Sequence, residues 1–177
     1  VCDVKVLETQ RLFLRHFMVE DAPFILDLLN DPGFIENIAD RGVRTIADAE
    51  GYILNGPATS YAKHGFGLYA VVLKATAQPI GMCGLIKRDT WDEVDIGYAL
   101  LARYAGQGYA TEAARATLSY GLGTLGLKRV VAVISPNNQA SAHVLEKIGM
   151  AFERLIPWVA SGNEEVKLYT TAKAGSS

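Results

Sequence analysis

Arg103-Tyr104-Ala105-Gly106-Gln107-Gly108-Tyr109-Ala110-Thr111-Glu112-Ala113 is the stretch whose reading decides the fold. An apolar, strand-like run ends just before it, near Leu101. After it, Ala110, Ala113, Ala114, Thr117, Leu118, Gly121, Leu122 and Leu125 recur at three- and four-residue steps, the pattern of a one-faced helix. A strand that turns through two glycines into a helix leaves several backbone N–H groups without intrahelical acceptors and aimed at one spot, where the helix dipole favours negative charge. The segment therefore reads as an anion cradle. Spacing separates the cradle types. A P-loop requires Gly-x-x-x-x-Gly-Lys-Ser/Thr, and no Gly here is followed by Lys and then Ser or Thr. A dinucleotide fingerprint requires a third glycine, where this chain has Thr111, and an acid about 20 positions on, whereas the next predicted strand, 128–135, contains none. Kinase-like and dehydrogenase-like readings are disfavoured accordingly.

Outward from this point the chain alternates short periodic segments with turn chemistry. Towards the N-terminus, 6–17 reads as a strand, Glu20 and Asp21 open a helix that runs to about 30, and Asp31-Pro32-Gly33 stops it. A second helix is predicted over 45–54 with Thr45 as its cap, interrupted by Gly56-Pro57. Strands at 66–73 and 80–87, joined by a turn around Gln78-Pro79, suggest an antiparallel hairpin, and 93–101 follows as a third strand. Beyond the central helix come a strand at 128–135, a helix at 137–148 capped by Gly149, and a closing pair of strands at 151–158 and 166–171. Strands first, then strand–helix–strand–helix–strand–strand, predict a mixed α/β sheet, mostly antiparallel, with one parallel strand pair and flanking helices.

Composition bounds the function. The chain has 177 residues, half of them hydrophobic and a fifth charged, with a net charge of −2, which suits one domain with a sizeable core. The domain is expected to span 1–177, with its core at 7–171 and a disordered tail at 172–177. The charge balance argues against a broad grip on nucleic acid. No apolar run approaches the roughly 18 residues of a membrane span, and the start shows no charged-then-apolar leader, so a cytoplasmic protein without a membrane partner is expected. Cys2 and Cys83 form no ligand cluster, and His16, His64 and His143 are scattered, so no metal is expected.

In the form Gly106-Gln107-Gly108-Tyr109-Ala110-Thr111-Glu112-Ala113 the loop resembles the pyrophosphate loop of the GNAT acyltransferases, closest to the Rim-type ribosomal-protein N-acetyltransferases. The likeness covers about 7–171. It includes Glu8-Thr9-Gln10-Arg11-Leu12-Phe13-Leu14-Arg15 and Pro79-Ile80-Gly81-Met82-Cys83-Gly84, which look like Rim-type strands. The element order predicted above is also the one the family shares.

The resemblance implies acetyl-CoA as cosubstrate, transferred by direct attack of a primary amine, with the parallel strands splayed where the thioester lies. It places the diphosphate on the amides of Gly106, Gln107, Gly108, Tyr109, Ala110 and Thr111, and the pantetheine arm along the backbone of Ala99, Leu100 and Leu101. Many family loops carry Gln or Arg where this chain has Ala105. Acyl transfer requires a neutral amine, and chain termini titrate near about 8 and lysine near about 10.4, so a base is useful. The resemblance puts an acidic base at Asp95. Glu93 shares its strand face and is an alternative or a helper, and both also read as solvated charges at a strand start. Many relatives use a tyrosine to protonate the departing thiolate, but Leu145 occupies that position here. Ser141, one turn earlier, matches the Rim-type serine. Asn138 reads as a pantetheine contact or as a helix cap. An oxyanion would meet a main-chain N–H at Tyr98 or Ala99. Arg103, Arg115 and Lys147 are candidates for the CoA phosphates, and Phe34, Trp91 and Trp158 for walls of the acceptor site. Glu112 is expected to serve the helix dipole. The acceptor reads as a protein or peptide N-terminal α-amino group, with a small amine (antibiotic, polyamine or amino-acid analogue) and a non-catalytic acyl-CoA sensor as alternatives. A monomer or a homodimer is expected.

Overall fold

The computed structural model describes residues 5–159 and 162–171, so the predicted tail and Cys2 lie outside the described residues. One sheet contains eight strands in the order β1-β2-β3-β4-β5-β6-β8-β7. These are β1 (Lys5–Glu8), β2 (Leu12–Arg15), β3 (Leu68–Leu73), β4 (Gln78–Lys87), β5 (Val94–Leu100), β6 (Val131–Ile134), β7 (Ala151–Trp158) and β8 (Glu164–Thr170). All neighbours are antiparallel except β5 and β6, which run parallel and share the single register pair Asp95↔Val131. Beyond that pair the two strands separate.

Alternation along the central strands gives the sheet two apolar faces. Tyr69, Val71, Leu85 and Ile96 face a core closed by helices α5 (Tyr109–Ser119) and α6 (Gln139–Lys147), through Ala113, Ala114, Leu118 and Leu145. Ala70, Val72, Met82 and Ala99 face a second core under α1 (Ala22–Leu29), α2 (Pro32–Asn37) and α3 (Ile46–Ile53). A last short helix, α4 (Thr59–His64), follows a wide π turn at Leu54–Ala58 that absorbs Pro57, where the sequence predicted an interruption.

Local differences from the sequence reading have physical causes. The predicted single strand 6–17 is a hairpin of β1 and β2. Its turn is closed by the Thr9 N–H donating to the Leu12 carbonyl at 2.8 Å rather than by glycine or proline, so no turn residue announces it. Asp31-Pro32-Gly33 ends α1 as expected but also starts α2, because Asp31 accepts from the Gly33 N–H at 3.0 Å and Pro32 occupies the first helical position. Thr45 caps α3 in a reciprocal capping box with Asp48. The central helix gives way to a π turn at Tyr120–Thr124, short of the predicted 125.

Candidate active site

Six-residue continuity of unpaired donors is the central feature at the end of β5. After the short 3-10 turn Ala102–Tyr104, Gly106 and Gly108 adopt φ of +77° and +82°, the left-handed region that glycine enters without a Cβ penalty. Gly108 is the N-cap of α5 and offers no side chain, so the N–H groups of 106–111 have no acceptor among the described residues. They fit a diphosphate, which accepts several N–H bonds at a helix N-terminus.

A half-buried acid fixes this loop. Glu112 accepts the Arg11 backbone N–H at 2.9 Å, the Arg11 Nε–H at 2.7 Å and the Thr9 hydroxyl, while Arg11 Nη1 donates to the Gln107 carbonyl at 3.0 Å. The Arg11 guanidinium also lies 4.4 Å from the Tyr109 ring centroid. Burial alone would push the Glu112 carboxyl up, but the Thr9 hydroxyl and the Arg11 donors outweigh it and hold the group below its usual value. Glu112 therefore does more than complement the helix dipole: it bolts the β1–β2 turn to the anion loop. Sequence reading missed Thr9 and Arg11 as members of this assembly, since about a hundred residues separate them from the loop. The far side of the loop is anchored by the Ala102 N–H, which donates to Asp31 Oδ2 at 3.1 Å.

Where β5 and β6 part, a cleft of about 380 Å³ opens. Asp95, Tyr98, Asn138, Ser141, Phe34 and Trp158 line it, and so does Leu145. Asp95 is 2% exposed and receives a two-point ion pair from Arg88, Nε to Oδ1 and Nη2 to Oδ2, both 3.1 Å. Burial raises the Asp95 pKa. The Arg88 charge and hydrogen bonds offset part of that rise, and the Trp91 indole adds a weaker favourable influence without a well-formed hydrogen bond. Arg88 stacks 5.2 Å from the Trp158 ring centroid, and Trp91 meets Trp158 edge-on at 5.1 Å. Trp91 thus supports Trp158 from behind rather than lining the cleft.

Tyr98 donates its hydroxyl to the Ser141 carbonyl at 3.0 Å, and burial raises its pKa, so it remains a phenol at neutral pH. Asn138 caps α6 by accepting the Ser141 N–H at 3.2 Å, which leaves its Nδ2 donors free of acceptors among the described residues. Leu145 is fully buried.

The remaining candidates scatter. Glu93 is tied to Arg129 at 3.3 Å, outside the cleft lining. Ala99 and Leu101 are buried in the second core, while the β6-facing backbone edge beyond Asp95 is left unpaired by the splay. Leu100 is partly buried and Ala105 exposed. Arg103 is exposed, with a loose ion pair to Asp27 at 3.9 Å. Arg115 donates to the Lys147 carbonyl at 3.0 Å, which places both cations at the α5–α6 contact. Cys83 is buried with its thiol pushed up to about 12, an inert group beside Thr117. Arg88 went unrecognised in the sequence because a polar turn gives no sign of which strand carboxylate it folds back onto. Among the described residues no cluster of His, Cys, Asp or Glu could hold a metal ion, and no helix is long and apolar enough to cross a membrane.

Comparison with known proteins agrees with this geometry. Residues 11–151 match the family model described as the acetyltransferase (GNAT) domain. An uncharacterized N-acetyltransferase of Bacillus subtilis, YnaD, is 30% identical over 89% of this chain and 90% of its own length. The crystal structure of an acetyltransferase from Agrobacterium tumefaciens superposes with a TM-score of 0.80 at 28% identity, covering 98% of this chain and 97% of that one. RimL, a ribosomal L7/L12 α-N-protein acetyltransferase solved with coenzyme A, shares the fold with a TM-score of 0.81 at 16% identity, over 96% and 98% of the two chains.

Proposed function

The chain belongs to the GNAT acetyltransferase family and is an acetyl-CoA-dependent N-acyltransferase, and from that premise we propose that its acceptor is an α-amino group presented end-on to the cleft at a protein or peptide N-terminus. The acetyl-CoA half of the reading is carried by the run of unclaimed N–H groups at 106–111 beside a parallel strand pair joined at one register position only. A second reading, acetylation of a small amine, is favoured by the size of the cleft, since about 380 Å³ admits such a molecule whole as readily as the first residues of a chain end.

When bound, acetyl-CoA supplies a thioester-activated acetyl group. Residues 106–111 hold the diphosphate, and the free edge of β5 pairs with the pantetheine amides as an added strand would. The Nδ2 group of Asn138 donates to the same arm. Asp95 takes the proton of the incoming ammonium. Arg88 occupies one acceptor position on each of its oxygens, and an ionised carboxylate retains others. The main-chain N–H at Tyr98 or Ala99 faces the negative charge that develops on the carbonyl oxygen. Ser141 presents its hydroxyl to the departing sulfur, in the place where the family tyrosine is replaced by Leu145. Attack is direct, since the buried Cys83 thiol has no base to activate it.

Thiol release from acetyl-CoA, measured against a panel of N-terminal peptides and small amines beside CoA calorimetry, tests the proposal. Association with CoA and amine-dependent release are expected. Absence of CoA association would overturn the donor assignment. Binding without turnover on any amine would favour a sensor.

A further inference from the structure

A second cavity, about 310 Å³, adjoins the cleft and shares with it Arg41, Tyr52 and Arg88, above a floor of Leu68 and Ile86. None of these three polar side chains was singled out by the sequence, and all three border both cavities, with the two guanidinium charges within reach of the Tyr52 phenol. Arg88 uses Nε and Nη2 on Asp95, which leaves Nη1 without an acceptor among the described residues. Arg41 forms no hydrogen bond or ion pair with any described residue. The Tyr52 hydroxyl likewise has no hydrogen-bond partner among the described residues, although it lies close enough to both guanidiniums for their charges to oppose the rise that burial imposes on its pKa.

The charge census of the second cavity is one-sided. Lys63 is paired with Asp89 at 3.3 Å, and Lys87 donates to the carbonyls of Arg88 and Trp91, both at 2.7 Å. Asp95 balances Arg88. The Arg41 charge remains, as does that of Lys87, whose carbonyl partners satisfy its N–H groups without neutralising it, together with the free N–H of Arg88 and the phenolic O–H. Glu36, Glu164 and Glu165 line the first cavity only.

Resting on the acetyltransferase reading above, we infer that Arg41, Tyr52 and Arg88 bind an anionic group, a carboxylate or a phosphate, that the acceptor carries a few bonds from its amine. One guanidinium links the two positions. Arg88 touches Asp95 with one edge and offers the other to the anion, so an acceptor whose amine points at Asp95 brings its anion against Nη1. Planar guanidinium donors suit carboxylate and phosphate oxygens, and the phenol supplies a third, neutral donor.

Matched acceptors provide the test: an amino acid against its amide, an aminoalkyl phosphate against the parent amino alcohol, and peptides with acidic against amidated side chains at the first two positions. The anionic member of at least one pair is expected to have kcat/KM about tenfold or more higher, the scale of a charge-assisted hydrogen bond. The ratio should fall towards one in R41Q and decrease in Y52F, with the KM for acetyl-CoA unchanged. Calorimetry of the same acid and amide on CoA-saturated protein should show the same preference without turnover. The pair that responds identifies the source as amino acid, phosphate ester or acidic chain end. If neutral members are acetylated and bound as well as anionic ones, or if the preference survives both substitutions, the inference fails while the acetyltransferase reading stands. If no amine is acetylated and CoA does not associate, both fall together.

Discussion

The two ends of β5 use opposite materials. At its C-terminal end the donor loop presents backbone N–H groups, fixed in place by two left-handed glycines and by the Glu112 bolt to Thr9 and Arg11. At its N-terminal end, Asp95 sits among side chains drawn from the β4–β5 turn, α2, α3 and the β7–β8 hairpin. A main-chain site depends on conformation and tolerates exchange of outward side chains, which is consistent with Ala105 in place of a Gln or Arg. A side-chain site changes with every substitution. Under the function proposed above, the main-chain loop would serve one invariant ligand and the side-chain cleft would set acceptor specificity.

The sharpest break in that comparison is Asp95→Asn. It should lower kcat about 100-fold or more, the contribution of a positioned general base, while CoA affinity measured by calorimetry holds. A kcat near that of the unaltered protein would reduce Asp95 to a structural partner of Arg88. The pH dependence has a definite sign. The base must be ionised, so activity falls on acidification through the Asp95 pKa, which burial places above the ordinary carboxylate value. The same raised pKa means that the native state binds the proton more tightly than the unfolded chain. Stability contributed by this group is thus present at low pH and is lost as pH rises from the unfolded to the folded pKa. Urea unfolding across that window should show the fall, and Asp95→Asn should flatten it.

On the donor side, Glu112→Ala removes the three hydrogen bonds that tie the first hairpin turn to α5 and leaves the Arg11 bond to Gln107 and its contact with the Tyr109 ring. The expected result is a KM for acetyl-CoA about tenfold higher, with kcat at saturation preserved, because loop positioning rather than chemistry is lost. Equal losses in both parameters would place Glu112 closer to the reaction. Trp158→Ala should raise the acceptor KM severalfold and leave CoA binding intact, since the ring walls the cleft and carries Arg88 on its face. The smallest effect should come from Ala105→Arg, a few-fold gain in CoA affinity that disappears at high salt, as an exposed charge near a phosphate does. A gain that persisted at high salt would mean that side chains contribute more to the loop than its main chain suggests.

Reading the sequence anticipated the strand–glycine loop–helix conformation at 106–111 because its determinants are local. Gly106 and Gly108 require positive φ, the small residues of α5 keep their 3.6-residue period, and the strand order around them follows from short connections. The acceptor half was legible only in part. Asp95, Ser141, Asn138, Phe34 and Trp158 do line one cleft, whereas Glu93 and Trp91 stand outside its lining, and no pattern distinguished them, since strand alternation assigns a face but not a partner. The Asp31-Pro32-Gly33 segment illustrates the same boundary: its chemistry identifies a helix break, yet only the fold uses Asp31 to cap α2 and to hold Ala102 at once.

By itself, the chain determined the sheet-and-helix order and a helix that opens on a glycine loop of unpaired N–H groups, because backbone conformation and hydrophobic period are encoded within a few residues of where they act. Only the tertiary structure decided that Arg88 would hold Asp95, that Glu112 would bind a turn from the far N-terminus, and that Arg41 and Tyr52 would meet Arg88 over a second cavity. Arg88 and Asp95 are seven residues apart and meet because the β4–β5 hairpin folds one onto the other, whereas Glu112 and Arg11 are 101 apart and meet only because α5 packs against the sheet.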